Sequence, residues 1–136
     1  DEETIRKYLD WPFEQILYDL LRGSWVSAWG ERPESEEAIL ATFQKWYKKT
    51  PALIPILAHR FVVSGLDWDK SPVLSVWGMD TIIYGLDMQH YLLSELVAEL
   101  NIHEIIISQS SPEWEAYAMP KWANANAIPV WSEVIS

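Results

Sequence analysis

The strongest constraint on the fold lies in residues 50–85, where two short runs rich in β-branched and aromatic residues flank a turn. Residues 73–77 (Val-Leu-Ser-Val-Trp) and 81–84 (Thr-Ile-Ile-Tyr) are separated by Gly78, Met79 and Asp80 and closed by Gly85, which predicts a β-hairpin. Pairing Trp77 with Thr81 would place Leu74, Val76, Ile82 and Tyr84 on one sheet face. Val73, Ser75, Trp77, Thr81 and Ile83 would then share the other. The first face is apolar and is expected beneath helices. The second is mixed and suits a partly exposed surface. Upstream, residues 53–63 read as a further extended stretch, in which Pro55 lacks an N–H and so fits a strand start or an edge.

The rest of the chain reads as helical. Residues 4–9 suggest a short helix interrupted at Pro12, which then opens a second helix. In that helix Phe13, Ile16, Leu17, Leu20 and Leu21 form an apolar stripe, and Gly23 is placed to end it. Ser35 reads as the cap of the next helix, with Glu36 and Glu37 in its first turn and Lys45, Lys48 and Lys49 in its last. Its buried stripe would be Ile39, Phe43, Trp46 and Tyr47. Asp87 should cap a third helix with Met88, Tyr91, Leu92, Leu96, Val97 and Leu100 inward. Residues 105–107 fit either a strand or an apolar plug, and Ser111-Pro112-Glu113 a helix start or a turn. Ile128-Pro129-Val130-Trp131 is expected to dock as an apolar peg. The order predicts an α+β fold over residues 1–136: one domain, with an antiparallel sheet and its helices packed on one side.

Chemistry is scarce. Zero cysteines exclude disulfides, thiol catalysis and thiolate metal sites, and they fit a reducing cytoplasm. His59, His90 and His103 stand far apart without ligand spacing, with His90 expected on the exposed side of its helix and His103 in a connection. No glycine-rich phosphate loop and no nucleophile elbow is present. Two acid pairs, Asp67 with Asp69 and Glu113 with Glu115, lie in polar segments where solvated carboxylates are the default. The reading therefore assigns no catalytic residue, no metal and no cofactor. No apolar run approaches the ~20 residues of a membrane span, and Asp1-Glu2-Glu3 is the opposite of a signal peptide's basic start. The chain opens on Asp rather than Met, so a preceding leader stays open. Twenty acidic residues against ten basic give a formal charge of −10, which disfavours nucleic acid and anionic lipid and favours cationic partners. Solubility alone would explain the same excess.

Nine tryptophans are the oddest feature. Exposed, they would make a stacking platform for sugars or peptides. Trp11, Trp46 and Trp131 sit in apolar contexts that predict packing instead. Trp29, Trp68 and Trp77 lie among turns or on the mixed sheet face, where both readings stand. His59 and Arg60 at a strand end, with Asp80 in the hairpin turn, suggest a structural salt bridge ahead of a binding role.

Three ordered segments carry a family resemblance. They are Trp25 with Trp29-Gly30-Glu31-Arg32-Pro33, then Pro51-Ala52-Leu53-Ile54-Pro55-Ile56 with His59-Arg60-Phe61, then residues 72–77 with residues 80–85. In this order they resemble bacterial members of the SUKH superfamily, which also includes fungal cell-wall-assembly regulators. The helix over residues 88–100 and the late Ile128-Pro129-Val130-Trp131-Ser132 segment resemble the same group, so the similarity spans residues 17–133. Residues 108–126 depart from it, being longer and more irregular. The resemblance implies an α+β domain without catalytic activity. Bacterial relatives are often immunity proteins that neutralise a cognate toxin, frequently a nuclease, by binding it, whereas the fungal relatives are signalling or scaffold proteins. Together with the acidity it implies a cationic toxin protein as partner. The candidate contact residues are Trp29, His59, Arg60, Asp67, Trp68, Asp69, Trp77 and Asp80, aromatic and Arg anchors with an acidic rim. A scaffold for an endogenous partner and a carbohydrate-binding module remain the alternatives.

Overall fold

In the computed structural model, residues 1–66, 71–100, 128 and 130–135 are described, save the side chains of residues 97 and 98. The first element is one continuous helix, α1 (Glu2–Leu21), with Asp1 accepting from the Thr4 N–H at 2.8 Å. This corrects the expected break at Pro12, which lies inside the helix. Proline's fixed φ is already helical, so what it forfeits is one hydrogen bond, to the Tyr8 carbonyl. Ile16 and Leu20 are fully buried, as the stripe predicts, while Leu21 remains partly exposed.

A short 3₁₀ turn (Ser27–Trp29) leads to α2 (Glu36–Tyr47). Ser35 caps this helix, its Oγ accepting from the Ala38 N–H at 3.2 Å. Ile39, Phe43 and Trp46 are buried on the inner side. Four strands follow: β1 (Leu53–Leu57), β2 (Arg60–Val63), β3 (Val73–Trp77) and β4 (Asp80–Gly85). They form an antiparallel meander in the order β1-β2-β3-β4. After β4 come α3 (Met88–Leu100) and a last 3₁₀ turn (Trp131–Glu133).

The hairpin register differs by one residue from the sequence expectation. Trp77 pairs with Asp80, Val76 with Thr81 and Leu74 with Ile83, so Gly78 and Met79 alone make the turn. Gly78 has φ 63° at the first central position, a positive value that glycine adopts without the strain an L side chain meets there. The shift moves every β4 side chain to the opposite face. Leu74, Val76, Thr81 and Ile83 point into the core with Phe61 and Val63, whereas Trp77, Asp80 and Ile82 are exposed on the outer side.

The main core lies between the inner sheet face, α1, α2 and the C-terminal tail. It joins Ile16, Leu20, Phe43 and Trp46 to Phe61, Leu74, Ile83 and Trp131. Each such side chain stabilises the fold by about 1.5–3 kcal/mol through burial. Among the described residues Trp131 is the largest side chain fully removed from solvent, and Ile128 is 2% exposed, so these parts of the tail dock as expected. The tail also lays Ile135 parallel against Thr81.

The architecture is α+β with an antiparallel sheet, and its helices occupy both faces rather than one. Tyr91 of α3 packs on Val62 and Val73, which point outward. At Gly85 a Cβ atom would sit 2.7 Å from Tyr91 Cβ, so glycine lets α3 approach the sheet. Asp87 caps α3, accepting from the His90 N–H at 2.7 Å. The inward stripe is the expected one only in part: Tyr91 is buried with Met88 packed beside it, whereas Leu92, Leu96 and Leu100 are 51–62% exposed, His90 and Ser94 are buried instead, and the Val97 side chain lies outside the described residues. His90 is therefore not a surface residue. Its Nδ1 accepts from the Leu86 N–H at 3.2 Å, which satisfies the ring inside the contact. Residues 105–107, Ser111-Pro112-Glu113, His103 and the Glu113/Glu115 pair lie outside the described residues.

Candidate functional site

In an antiparallel meander the β1–β2 and β3–β4 turns fall at the same end of the sheet, and here both are tight. Ala58 takes φ 49° in the first and Gly78 takes the positive φ in the second. His59 leaves the first turn and Trp77 enters the second, which brings the rings edge to face at 5.3 Å. Trp11, one helical face of α1 away, lies 5.7 Å from Trp77 and donates its Nε1–H to the Val76 carbonyl at 3.3 Å. Trp77 itself is 56% exposed, the most exposed of the described tryptophans.

Arg60 sits behind this pair. Its Nη1 donates to Ser75 Oγ at 3.2 Å and touches His59 Nε2, while its guanidinium carbon lies 3.7 Å from the Tyr84 ring centroid. Its ion-pair partner is Glu95 on α3, with Nε 3.7 Å from Oε1. The anticipated bridge to Asp80 is replaced by this one: Asp80 pairs with Trp77 at the start of β4, where it is exposed. At 3.7 Å the pair is electrostatic only, and the buried Arg60 Nε has no hydrogen-bond acceptor among the described residues. A half-buried pair of this kind adds little net stability against its desolvation cost; its effect is to fix α3 against the sheet. The cation over the Tyr84 ring joins β2 to β4 within the sheet and contributes about 0.5–2 kcal/mol there.

The imidazole of His59 is held below its ordinary range, first by burial and then by the neighbouring Arg60, with Glu95 opposing. Neutral His59 can accept the Arg60 N–H and keep its ring edge toward Trp77. The cluster therefore offers a half-exposed imidazole, an exposed indole and the Asp80 carboxylate for contact, backed by a guanidinium that is already committed.

Of the eight residues the sequence singled out, His59, Arg60, Trp77 and Asp80 come together at this end of the sheet. Trp29 does not. It packs on Trp46 at 5.0 Å and edge-on to Trp25 at 5.3 Å, and its Nε1–H donates to Glu133 at 2.9 Å. Trp46 donates to the same carboxylate oxygen at 3.1 Å. Asp67, Trp68 and Asp69 lie outside the described residues.

Sequence reasoning missed the surface that adjoins the cluster. Ile5, Tyr8, Pro55, Ile56, Leu57 and Ala58 line an open apolar groove of about 270 Å³ between α1 and the β1–β2 turn. Its signal was present. Ile5, Leu9 and Pro12 continue the Ile16–Leu20 stripe by one-turn steps, and only the presumed break at Pro12 hid it. Among the described residues no group of three or more His, Asp or Glu side chains could hold a metal ion, and no helix is long and apolar enough to cross a membrane.

Comparison of the chain with family models, with curated proteins and with solved structures returns no match.

Proposed function

We propose that this chain is a non-catalytic protein-binding domain of the immunity type, one that neutralises a cationic toxin by covering it. The observation that carries the reading is the hairpin-turn end of the sheet. There Trp77 is 56% and Leu57 63% exposed beside His59 and Asp80, on a chain of net charge −10. Exposed aromatic and aliphatic anchors with an acidic surround are the composition of a protein interface rather than of a solvated face. The SUKH resemblance supports the same class of partner. Charge would act mainly on the association rate and on partner choice. A sugar platform receives less support, because the Trp25, Trp29, Trp46 and Trp131 rings pack against one another and Phe43 inside the fold.

The test is toxicity rescue. Any toxin gene found adjoining this one is expressed with and without the chain, and surviving cells are counted. Rescue with a co-purifying complex whose association slows as salt rises is the expected result. Absence of rescue by folded protein would refute the pairing.

A further inference from the structure

The groove between α1 and the β1–β2 turn has a feature that the aromatic cluster lacks: it is a cleft, not a flat patch. Its walls are the side chains of Ile5 and Tyr8 on one side and residues 55–58 on the other. Ile5, Tyr8 and Leu57 are 60%, 46% and 63% exposed, so three large apolar side chains face water at one place. At about 270 Å³ it falls short of the volume that encloses a small ligand and suits one or two side chains pushed in from outside.

The surrounding charge selects the occupant. Asp1, Glu2 and Glu3 are exposed at the start of α1, and Asp80 is exposed at the start of β4. Glu2 and Glu3 pair with Arg6 and Lys7 at 3.2 and 3.1 Å, so the rim acids with no ion pair among the described residues are Asp1 and Asp80. A second copy of the chain would bring −10 against −10, with its own acids at the rim. Strand addition beside the groove meets Pro55, which has no N–H to offer a new neighbour. We infer that the groove is the docking site for a cationic amphipathic helix of a protein partner, which seats large apolar side chains between α1 and the β1–β2 turn and sets its Lys or Arg residues against the acidic rim. The inference deepens the binding reading by naming the anchor point. Its test needs no toxin, so the two fail separately.

The probe is a synthetic peptide of about 18 residues, or roughly five helical turns, made of Leu and Lys with Leu at i, i+3, i+4 and i+7. It is titrated into the full chain while backbone amide shifts are followed. Shifts are expected at Ile5, Tyr8 and residues 55–58. Leu57→Asn and Ile5→Asn leave the net charge unchanged, and each should weaken binding by about tenfold or more through loss of an anchor contact. Leu92→Asn, on an exposed position of α3, should leave affinity unaltered. A Leu/Glu peptide of the same pattern should not bind. Shifts scattered over other acidic surfaces, or equal weakening by Leu92→Asn and Leu57→Asn, would overturn the assignment. So would a wild-type dimer in sedimentation that Leu57→Asn converts to monomer, because the groove would then be covered by a second copy.

Discussion

Gly78→Ala tests how α1 is tied to the sheet. An alanine Cβ there would lie 2.0 Å from Asp19 Oδ2 and 2.9 Å from Asp19 Cγ, so the carboxylate must leave. In the wild type that oxygen accepts from the Met79 N–H at 2.8 Å and so closes the hairpin turn against the helix. Two costs follow. Holding an L-residue at the positive φ costs about 1–2 kcal/mol, reduced to about 1 by the lower entropy of the unfolded alanine chain. Losing a hydrogen bond to a charged acceptor costs about 1.5–3 kcal/mol more. Gly78→Ala should therefore lose about 2.5–4 kcal/mol in urea unfolding, a large part of a typical domain's stability. Asp19→Ala removes the carboxylate alone and should lose about 1.5–3 kcal/mol. In the double variant the hydrogen bond can be lost only once, so its stability should match that of Gly78→Ala. The cycle then gives a coupling of about 1.5–3 kcal/mol. If the two single losses simply add, the clash with Asp19 is not what excludes a side chain at position 78, and the reasoning fails.

Trp131→Ala should destabilise by about 3–5 kcal/mol, whereas Trp131→Phe should lose less, since it mainly orphans the Pro51 carbonyl that Trp131 Nε1 donates to at 3.0 Å; chemical denaturation separates the two. Tyr47 is pushed up to about 12, first by burial and then by Asp10, so one tyrosine should ionise last in an ultraviolet titration. Because its folded value lies above the unfolded value of about 10, its contribution is intact below that pH and fades as pH rises toward 12. His59 should titrate below its usual range by proton NMR, so its contribution is present at neutral pH and falls as pH drops through the unfolded value. Arg60→Met should raise the His59 midpoint by removing one of the groups that lower it; an unmoved midpoint would discount the Arg60 contact.

The elements that could be read from the sequence are those whose signals are local. Ser35 and Asp87 announce their helices because a capping oxygen serves an N–H three residues on, and both bonds are present. The Ile128–Trp131 peg was legible because aromatic and aliphatic residues in a polar tail have few uses other than burial. Pro12 misled, since its ring forbids one hydrogen bond but not the helical φ. The hairpin was found but slipped by one residue, because Gly-Met-Asp admits a two- or a three-residue turn. The docking of Asp19 onto Gly78 and Met79, which no local pattern shows, accompanies the two-residue form. Asp80 was paired with Arg60 because both sit near strand ends, whereas the partner, Glu95, comes from α3, whose approach to the sheet no local pattern shows. His59 and Trp77 could be placed at one end of the sheet from hairpin connectivity alone, whereas the groove needed the true length of α1.

The tail's burial has a kinetic side. Trp131 reaches the Pro51 carbonyl across 80 positions, and Glu133 reaches the Trp29 indole across 104. The hairpins can form from neighbours, but the last large side chain of the core arrives only when a very long loop closes, an entropic toll set before any contact rewards it. The interior around Phe43 and Trp46 is completed only when the Trp131 ring seats, so a change that undocks the tail would bare this aromatic surface to water and to other copies of the chain.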